Sequence, residues 1–180
     1  SGVYGARYKG FVAKSEAEAW LLAGAQYTKR ITNNELRITK KALERGIYFD
    51  AGTGRGKGTE ISVTDERGND LLHEVLTTKD INKFGKHLLG KKATNNHGEL
   101  LACLYAMQVA MKSGIKKVFG DSKLVIDYWS KGFIKKDKVA SETVELAEMV
   151  AGLREEFEEE GGRVIHISGN NNPADLGFHR

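Results

Sequence analysis

Proline is almost absent from this chain, with one residue, Pro173, in 180. That excludes long proline-stiffened linkers. Cysteine is as scarce. Cys103 stands alone, so no intrachain disulfide can form and a cysteine zinc centre is not expected. A lone thiol fits a reducing cytoplasm, the location expected. No apolar run approaches the ~20 residues of a membrane span. No signal peptide is visible at the start, where Ser1-Gly2 reads as a trimmed end or a cloning scar. Internal repeats and low-complexity tracts are also lacking. What is there is ordinary for a globular chain. It is 40% hydrophobic and 29% charged, enough for one domain of common size and a short appendage.

The charge is unevenly spread. The net value is +4 and the pI is near 9.0, which suits a polyanionic partner. Residues 28–45 carry Lys29, Arg30, Arg37, Lys40, Lys41 and Arg45 against Glu35 and Glu44. Residues 131–138 carry Lys131, Lys135, Lys136 and Lys138 against Asp137. The acids collect in "REEFEEE", Arg154 to Glu160. Any one such run is also what a solvated face looks like.

Periodicity orders the chain. "KSEAEAWLLAG" opens with a capping box, Ser15 and Glu18, and predicts a short helix to about Gly24. Residues 28–45 read as linker. "GIYFDAG" predicts a strand with Tyr48 and Asp50 on one face and Ile47 and Phe49 on the other. "TEISVTDERGNDLLHEVLTT" predicts two more strands around a turn at Arg67-Gly68-Asn69-Asp70. "HGELLACLYAMQVAMKSG" predicts a helix from Asn96 to Gly114, with Leu100, Leu104, Met107 and Met111 on its stripe. "IKKVFGD" is a strand ending at Asp121 and "SKLVIDYWSKG" a helix ending at Gly132. "SETVELAEMVAGLREEFEEEGG" is a helix with Val144, Ala147, Val150, Leu153 and Phe157 inward. "RVIHISG" is the last strand, and a short helix opening at Asp175 follows. Hairpins first and strand–helix–strand units after predict a mixed sheet with helices packed on it.

Glycines Gly52, Gly54, Gly56 and Gly58 raise the question of a phosphate cradle. A P-loop needs G-x-x-x-x-G-K-[ST] before a helix, and a dinucleotide loop needs G-x-G-x-x-G. Neither spacing is met, and "TEISVTD" alternates like a strand, so no helix N-terminus points back at the loop. The glycines read as a hairpin turn needing positive φ, alone or with close approach of a bulky ligand.

Four carboxylates stand at element ends. They are Asp50, Glu99, Asp121 and Asp175. Three have ordinary structural readings, as a dipole partner for Glu99 and as caps for Asp121 and Asp175. Asp50 has none, because an acid on a core strand is costly to bury unpaired. In an open sheet, strand C-termini and helix starts meet at one crevice. Carboxylates crowded there repel one another, and divalent cations resolve the conflict. Mg²⁺ takes oxygen ligands, and two ions ~4 Å apart stabilise the attacking and leaving oxygens of phosphodiester cleavage. Small Cys103 and Ala106 follow Glu99 at helical spacing, so that face can lie close to the sheet.

"YFDAGTG", "TNNHGELLA", "FGDSKLVIDYW" and "NPADLG" resemble, in order and approximate spacing, the motifs of type 1 ribonuclease H. The resemblance covers roughly residues 45–180. It implies an α/β fold with a five-stranded mixed sheet flanked by helices, and a catalytic domain over 46–180. It implies cleavage of the RNA strand of RNA–DNA hybrids, leaving 5′-phosphate and 3′-hydroxyl ends, and the enzyme is expected to be a monomer with no obligate protein partner. Asp50, Glu99, Asp121 and Asp175 would be the catalytic acids and the ligands of two Mg²⁺ ions, with Mn²⁺ as substitute. Asn95 and Asn96 match the paired asparagines that contact the hybrid, and Thr94 the neighbour that helps hold a DNA phosphate. Trp129, Lys135, Lys136 and Asn170 complete the expected substrate contacts. The alternatives are a non-catalytic hybrid-binding protein and another nuclease of the same fold, resolvase-like or transposase-like.

The chain departs from that pattern in four places. Ala-Gly follows the first acid where Gly-Ser is commoner. "SGNNNPA" is short and lacks the mobile loop with a histidine, as in the ribonuclease H domains of retroelement polymerases. Asn170 stands near that histidine's place and His179 lies beyond the acid, so Asn170 or Asn172 is an alternative fourth ligand. The basic protrusion is reduced to "KGFIKKDK", beside which Trp129 reads equally as a DNA-channel or a core residue. The chain runs five residues past Asp175, which shortens the expected last helix. Before the domain, "GARYKGFVAKSEAEAWL" resembles the second half of a small hybrid-binding module. Residues 1–27 are thus expected to be a partial appendage, with Tyr8, Lys9 and Phe11 as its remnant, or a helix without binding activity of its own.

Overall fold

The computed structural model describes residues 14–22, 43–53 and 57–177. The linker expected at 28–45, the remnant residues Tyr8, Lys9 and Phe11, glycines Gly54 and Gly56, and His179 lie wholly or largely outside them. The chain divides into two compact units, residues 1–41 and 42–180. In the first, helix α1 spans Lys14–Leu22 and buries none of its residues. Ser15 is its second residue, so it does not cap as the capping box predicted. A Lys14–Glu18 pair at 3.4 Å spans one turn of it.

In the second unit, strand β1 spans Ile47–Gly52 and is buried along its whole length. The expected alternation holds. Ile47, Phe49 and Ala51 enter the main core, whereas Tyr48 stacks on Phe119 at 4.7 Å on the other face, beside Ala174. Strand β2, Glu60–Thr64, pairs antiparallel with β1 and sets Asp50 opposite Ser62. The hairpin needs its glycine, since Gly58 has φ 139° and a Cβ there would meet the Leu89 carbonyl oxygen at 2.2 Å. At Gly58 the close approach is made by the chain itself.

The second predicted hairpin is corrected. The turn forms, with Gly68 at φ 84° and Gly68 N–H donating to the Asp65 carbonyl. After it, however, pairing stops at the Thr64–Asp70 bridge and the Leu71 N–H bond to the Val63 carbonyl, and Leu72–Glu74 forms a 3-10 turn that drives Leu72 fully into the core. Strand β3 is instead the short segment His87–Leu88, paired antiparallel with β2.

Helix α2 spans Asn95–Lys112, one residue earlier than predicted. Thr94 caps it, accepting the His97 N–H at 3.2 Å, and Gly114 at φ 66° ends it. Leu100, Leu104 and Met107 are buried. Strand β4, Lys117–Gly120, and strand β5, Arg163–His166, join in parallel, giving the order β3-β2-β1-β4-β5. This is the five-stranded mixed sheet expected. Helix α3, Lys123–Asp127, runs into a 3-10 turn at Trp129–Lys131. Helix α4 spans Ser141–Glu159. Ala147, Val150 and Phe157 are buried as predicted, but Val144 and Leu153 are only partly covered, and Leu146 and Arg154 are buried beside them. Arg154 achieves this by donating to the Ile126 carbonyl and Ser130 Oγ, both at 2.6 Å. No helix opens at Asp175 among the described residues; a turn at Pro173-Ala174 precedes it. No described helix is long and apolar enough to cross a membrane.

Candidate metal centre

Three of the four predicted acids meet. Asp50, Glu99 and Asp121 each bring a carboxylate oxygen within 4.8 Å of the others. They come from the C-terminal half of β1, the second turn of α2 and the residue just after β4. Glu99 is the fifth residue of its helix, not in the first turn as expected, which weakens the dipole reading of its position. Asp50 and Glu99 are buried, at 3% and 5% exposure, whereas Asp121 is half-buried.

Small residues make the meeting possible. A Cβ on Gly98 would lie 2.4 Å from Thr59 Cγ2 and 3.1 Å from Ala51 Cβ, so only glycine lets α2 lie this close to β1. Cys103 and Ala106, fully buried, continue that contact as predicted. Burial also holds the Cys103 thiol protonated, pushing its pKa up to about 12. A Cβ on Gly120 would strike the Phe49 ring at 2.3 Å, so the residue before Asp121 is constrained by the strand that carries Asp50.

The cluster is electrostatically unfavourable without a cation. Burial raises the pKa of Asp50, and the charges of Asp121 and Asp175 add to it, against the Leu176 N–H, which donates to Asp50 Oδ2 at 2.9 Å. Burial raises Glu99 further, with Asp50 and Asp121 as the neighbouring charges. A hydrogen bond joins these two carboxyl groups, and both are raised above the ordinary carboxylate range. Ala51 N–H also donates to Glu99, yet its Oε2 is buried with no hydrogen-bond partner. A buried carboxylate with an unsatisfied oxygen, clustered with two other carboxylates, is the kind of donor set that a hard divalent cation takes. Asp121 is raised too, chiefly by burial. A hard divalent cation fits this donor set.

Asp175 is not in the three-acid cluster. It is half-buried, its Oδ1 accepts the Gly177 N–H at 2.7 Å, and its charge acts on Asp50 and Asp121. Asn170 is exposed in the 3-10 turn Gly169–Asn171. A Cβ on Gly169 of that turn would lie 2.8 Å from Asp121 Oδ2, so the turn borders the site. Asn172 is buried and makes its contacts inside the protein.

The expected substrate contacts fall in two places. Thr94, Asn95 and Asn96 form the start of α2, one turn before Glu99, and Asn95 Oδ1 is buried with no partner. His97 bonds Thr143 Oγ1 at 2.9 Å, tying this helix start to α4, and burial lowers its pKa. Lys135 is exposed, and Lys136 pairs with Glu148 at 2.6 Å. Trp129 is partly buried and packs against the main core. Tyr128 and Phe133, not singled out from the sequence, are the exposed aromatics there, at 56% and 68%. Their alternation with lysines was the available signal.

Residues 79–159 match the family model described as "Reverse transcriptase-like". The matched segment contains Glu99 and Asp121 and stops short of Asp50 and Asp175. No curated protein matches the chain. Among solved structures, the chain is similar to the RNase H1 of the halophilic archaeon Halobacterium salinarum, at 21% identity and TM-score 0.45, covering 73% of this chain and 91% of that one. It is similar to the N-terminal RNase H domain of a Mycobacterium tuberculosis protein, solved as a maltose-binding-protein fusion, at 22% identity and TM-score 0.44, covering 74% and 94%. The segment from 79 to 159 thus carries the reverse-transcriptase-like family's pattern, and it lies within a domain built on a five-stranded mixed sheet.

Proposed function

We propose that the chain is an endoribonuclease that hydrolyses the RNA strand of RNA–DNA hybrids, leaving 5′-phosphate and 3′-hydroxyl ends. The observation that carries the reading is the convergence of Asp50, Glu99 and Asp121, two of them buried, with Glu99 Oε2 unpartnered. These three, with Asp175 beside them, would hold two Mg²⁺ ions, or Mn²⁺ in their place. Bound there, the metal would supply the positive charge that makes a water acidic enough to attack at neutral pH and that stabilises the departing 3′-oxygen.

The chain's own groups do the rest. Asp50 would be the ligand shared between the ions, since it sits on a strand buried along its length and the Leu176 N–H fixes one of its oxygens. Any proton that the raised Asp50 and Glu99 carboxyls hold must leave before a cation binds, because only the ionised carboxylate is a good ligand. Thr94, Asn95 and Asn96 present hydroxyl, amide and helix N-terminal N–H groups one turn from the acids, which suits a phosphate and sugar edge. Strand choice would come from the 2′-hydroxyl, the group that separates RNA from DNA. Lys135 and Lys136 would add phosphate contacts that position the duplex without reading bases.

The test is cleavage of an end-labelled hybrid with and without Mg²⁺, beside duplex DNA, duplex RNA and a branched junction. The hybrid alone should be cut, only with metal, and Asp50→Asn should abolish cutting while the protein stays folded. Junction or duplex DNA cleavage would move the chain to another nuclease class. Metal-independent binding without cleavage would make it a hybrid-binding protein.

A further inference from the structure

We propose that Asn172 is a positioning residue, whose single carboxamide fixes the turn carrying Asp175 against strand β1 beside Asp50. The proposal rests on reading these acids as the working groups, and it gives Asn172 a role other than that of a substitute ligand.

The geometry starts where two strands part. The parallel ladder between β1 and β4 reaches Tyr48↔Phe119 and goes no further. The next carbonyl along β1, that of Phe49, takes a hydrogen bond from Asn172 Nδ2 at 2.9 Å. Asn172 Oδ1 accepts the Ala174 N–H at 3.1 Å. The same side chain hydrogen-bonds the Asp121 carboxylate. One amide therefore touches the residue before Asp50, the residue before Asp175 and Asp121 itself. At 6% exposure the amide faces inward, and both its nitrogen and its oxygen are engaged within the protein.

The turn has further fastenings. Asp175 N–H donates to the Asn172 carbonyl at 3.1 Å, Ala174 is buried against Tyr48 and Phe119, and Leu176 N–H donates to Asp50 Oδ2. Asp175 thus sits between two ties to β1, one from Asn172 and one from Leu176. No helix delivers it among the described residues; the amide does that work. Hydrogen-bond partners that orient ligating groups are worth about 10–100-fold in metal affinity when lost.

The test uses two readouts on the whole chain. Amide hydrogen exchange at Leu176 in metal-free buffer reports the tie itself, and Mg²⁺ calorimetry reports the acids it places. In Asn172→Ala, Leu176 exchange should rise roughly tenfold or more and Mg²⁺ binding should weaken roughly tenfold or more. Val109→Ala, a core truncation elsewhere on α2 that also lowers stability, should move neither. Asn172→Asp keeps the acceptor for Ala174 and loses the donor to Phe49, so Leu176 exchange should rise there too. Wild-type exchange at Leu176 in both Asn172 variants, or wild-type Mg²⁺ affinity in Asn172→Ala, overturns the proposal. If the unmodified protein binds no Mg²⁺, the metal reading falls and the exchange readout alone decides the role of Asn172.

Discussion

Two regions of this molecule carry charge that invites a functional reading, and they are built in opposite ways. At one end, three carboxylates from residues 50, 99 and 121 are drawn together by the fold and largely removed from water. At the other, the lysines of residues 131–138 stand in one contiguous, exposed stretch, and two of them, Lys136 and Lys138, have acidic neighbours. Burying like charges costs free energy that nothing in the fold needs. Exposed lysines cost almost nothing to keep. The acid cluster is therefore strong grounds for a ligand, and the lysine stretch supports only an adjustable, salt-sensitive contribution.

Substitutions at the two regions should differ in kind. Asp121→Asn should cut hybrid hydrolysis by a factor on the order of 10³ or more, as expected when a metal ligand is lost, with substrate affinity nearly kept. Lys135→Ala with Lys136→Ala should leave kcat close to wild type, raise KM about 3–10-fold and reduce the slope of binding against salt. Steady-state kinetics across a salt series measures both. A large kcat loss in the lysine variant would dissolve the contrast.

The pH dependence sharpens it. Glu99 and Asp50 have folded-state pKa values above those of an unfolded chain. Their protonated forms thus favour folding, a contribution fully present below the ordinary carboxylate range and lost as pH rises through the raised values. Metal-free protein should lose melting temperature from this source as pH increases. Glu99→Gln, which cannot ionise, should flatten that loss and exceed wild type by a few degrees at pH 8 without metal. Added Mg²⁺ should stabilise wild type and not the variant. The lysine variant should follow wild type throughout, as scanning calorimetry would show.

Much of the domain was legible because periodicity and burial agree. The β1 alternation, the α2 stripe and the sites of the acids are local in sequence, with Asp50 and Asp121 closing apolar runs and Glu99 opening one. What stayed hidden depends on partners distant in the chain. "LLHEVLTT" has strand composition, yet Leu72 is drawn into the core and the pairing passes to His87–Leu88. Arg154 looked like a solvated charge and is buried, because Ile126 and Ser130 supply acceptors. Gly98 was a missed cue. Glycine inside a helix is unfavourable, and here it buys the contact that seats Glu99 beside Asp50. Asn172 was noticed only as a substitute ligand, since nothing in "GNNNPAD" tells which asparagine turns inward.

The claim under all of this is that Asp50, Glu99 and Asp121 form one divalent-cation site. Calorimetric titration of Mg²⁺ into the protein at neutral pH tests it most directly, with Asp50→Asn, Glu99→Gln and Asp121→Asn alongside. Saturable binding with proton release in wild type, lost or strongly weakened in each variant, is the result expected. Absence of binding in wild type, or binding that survives intact in all three variants, would contradict it.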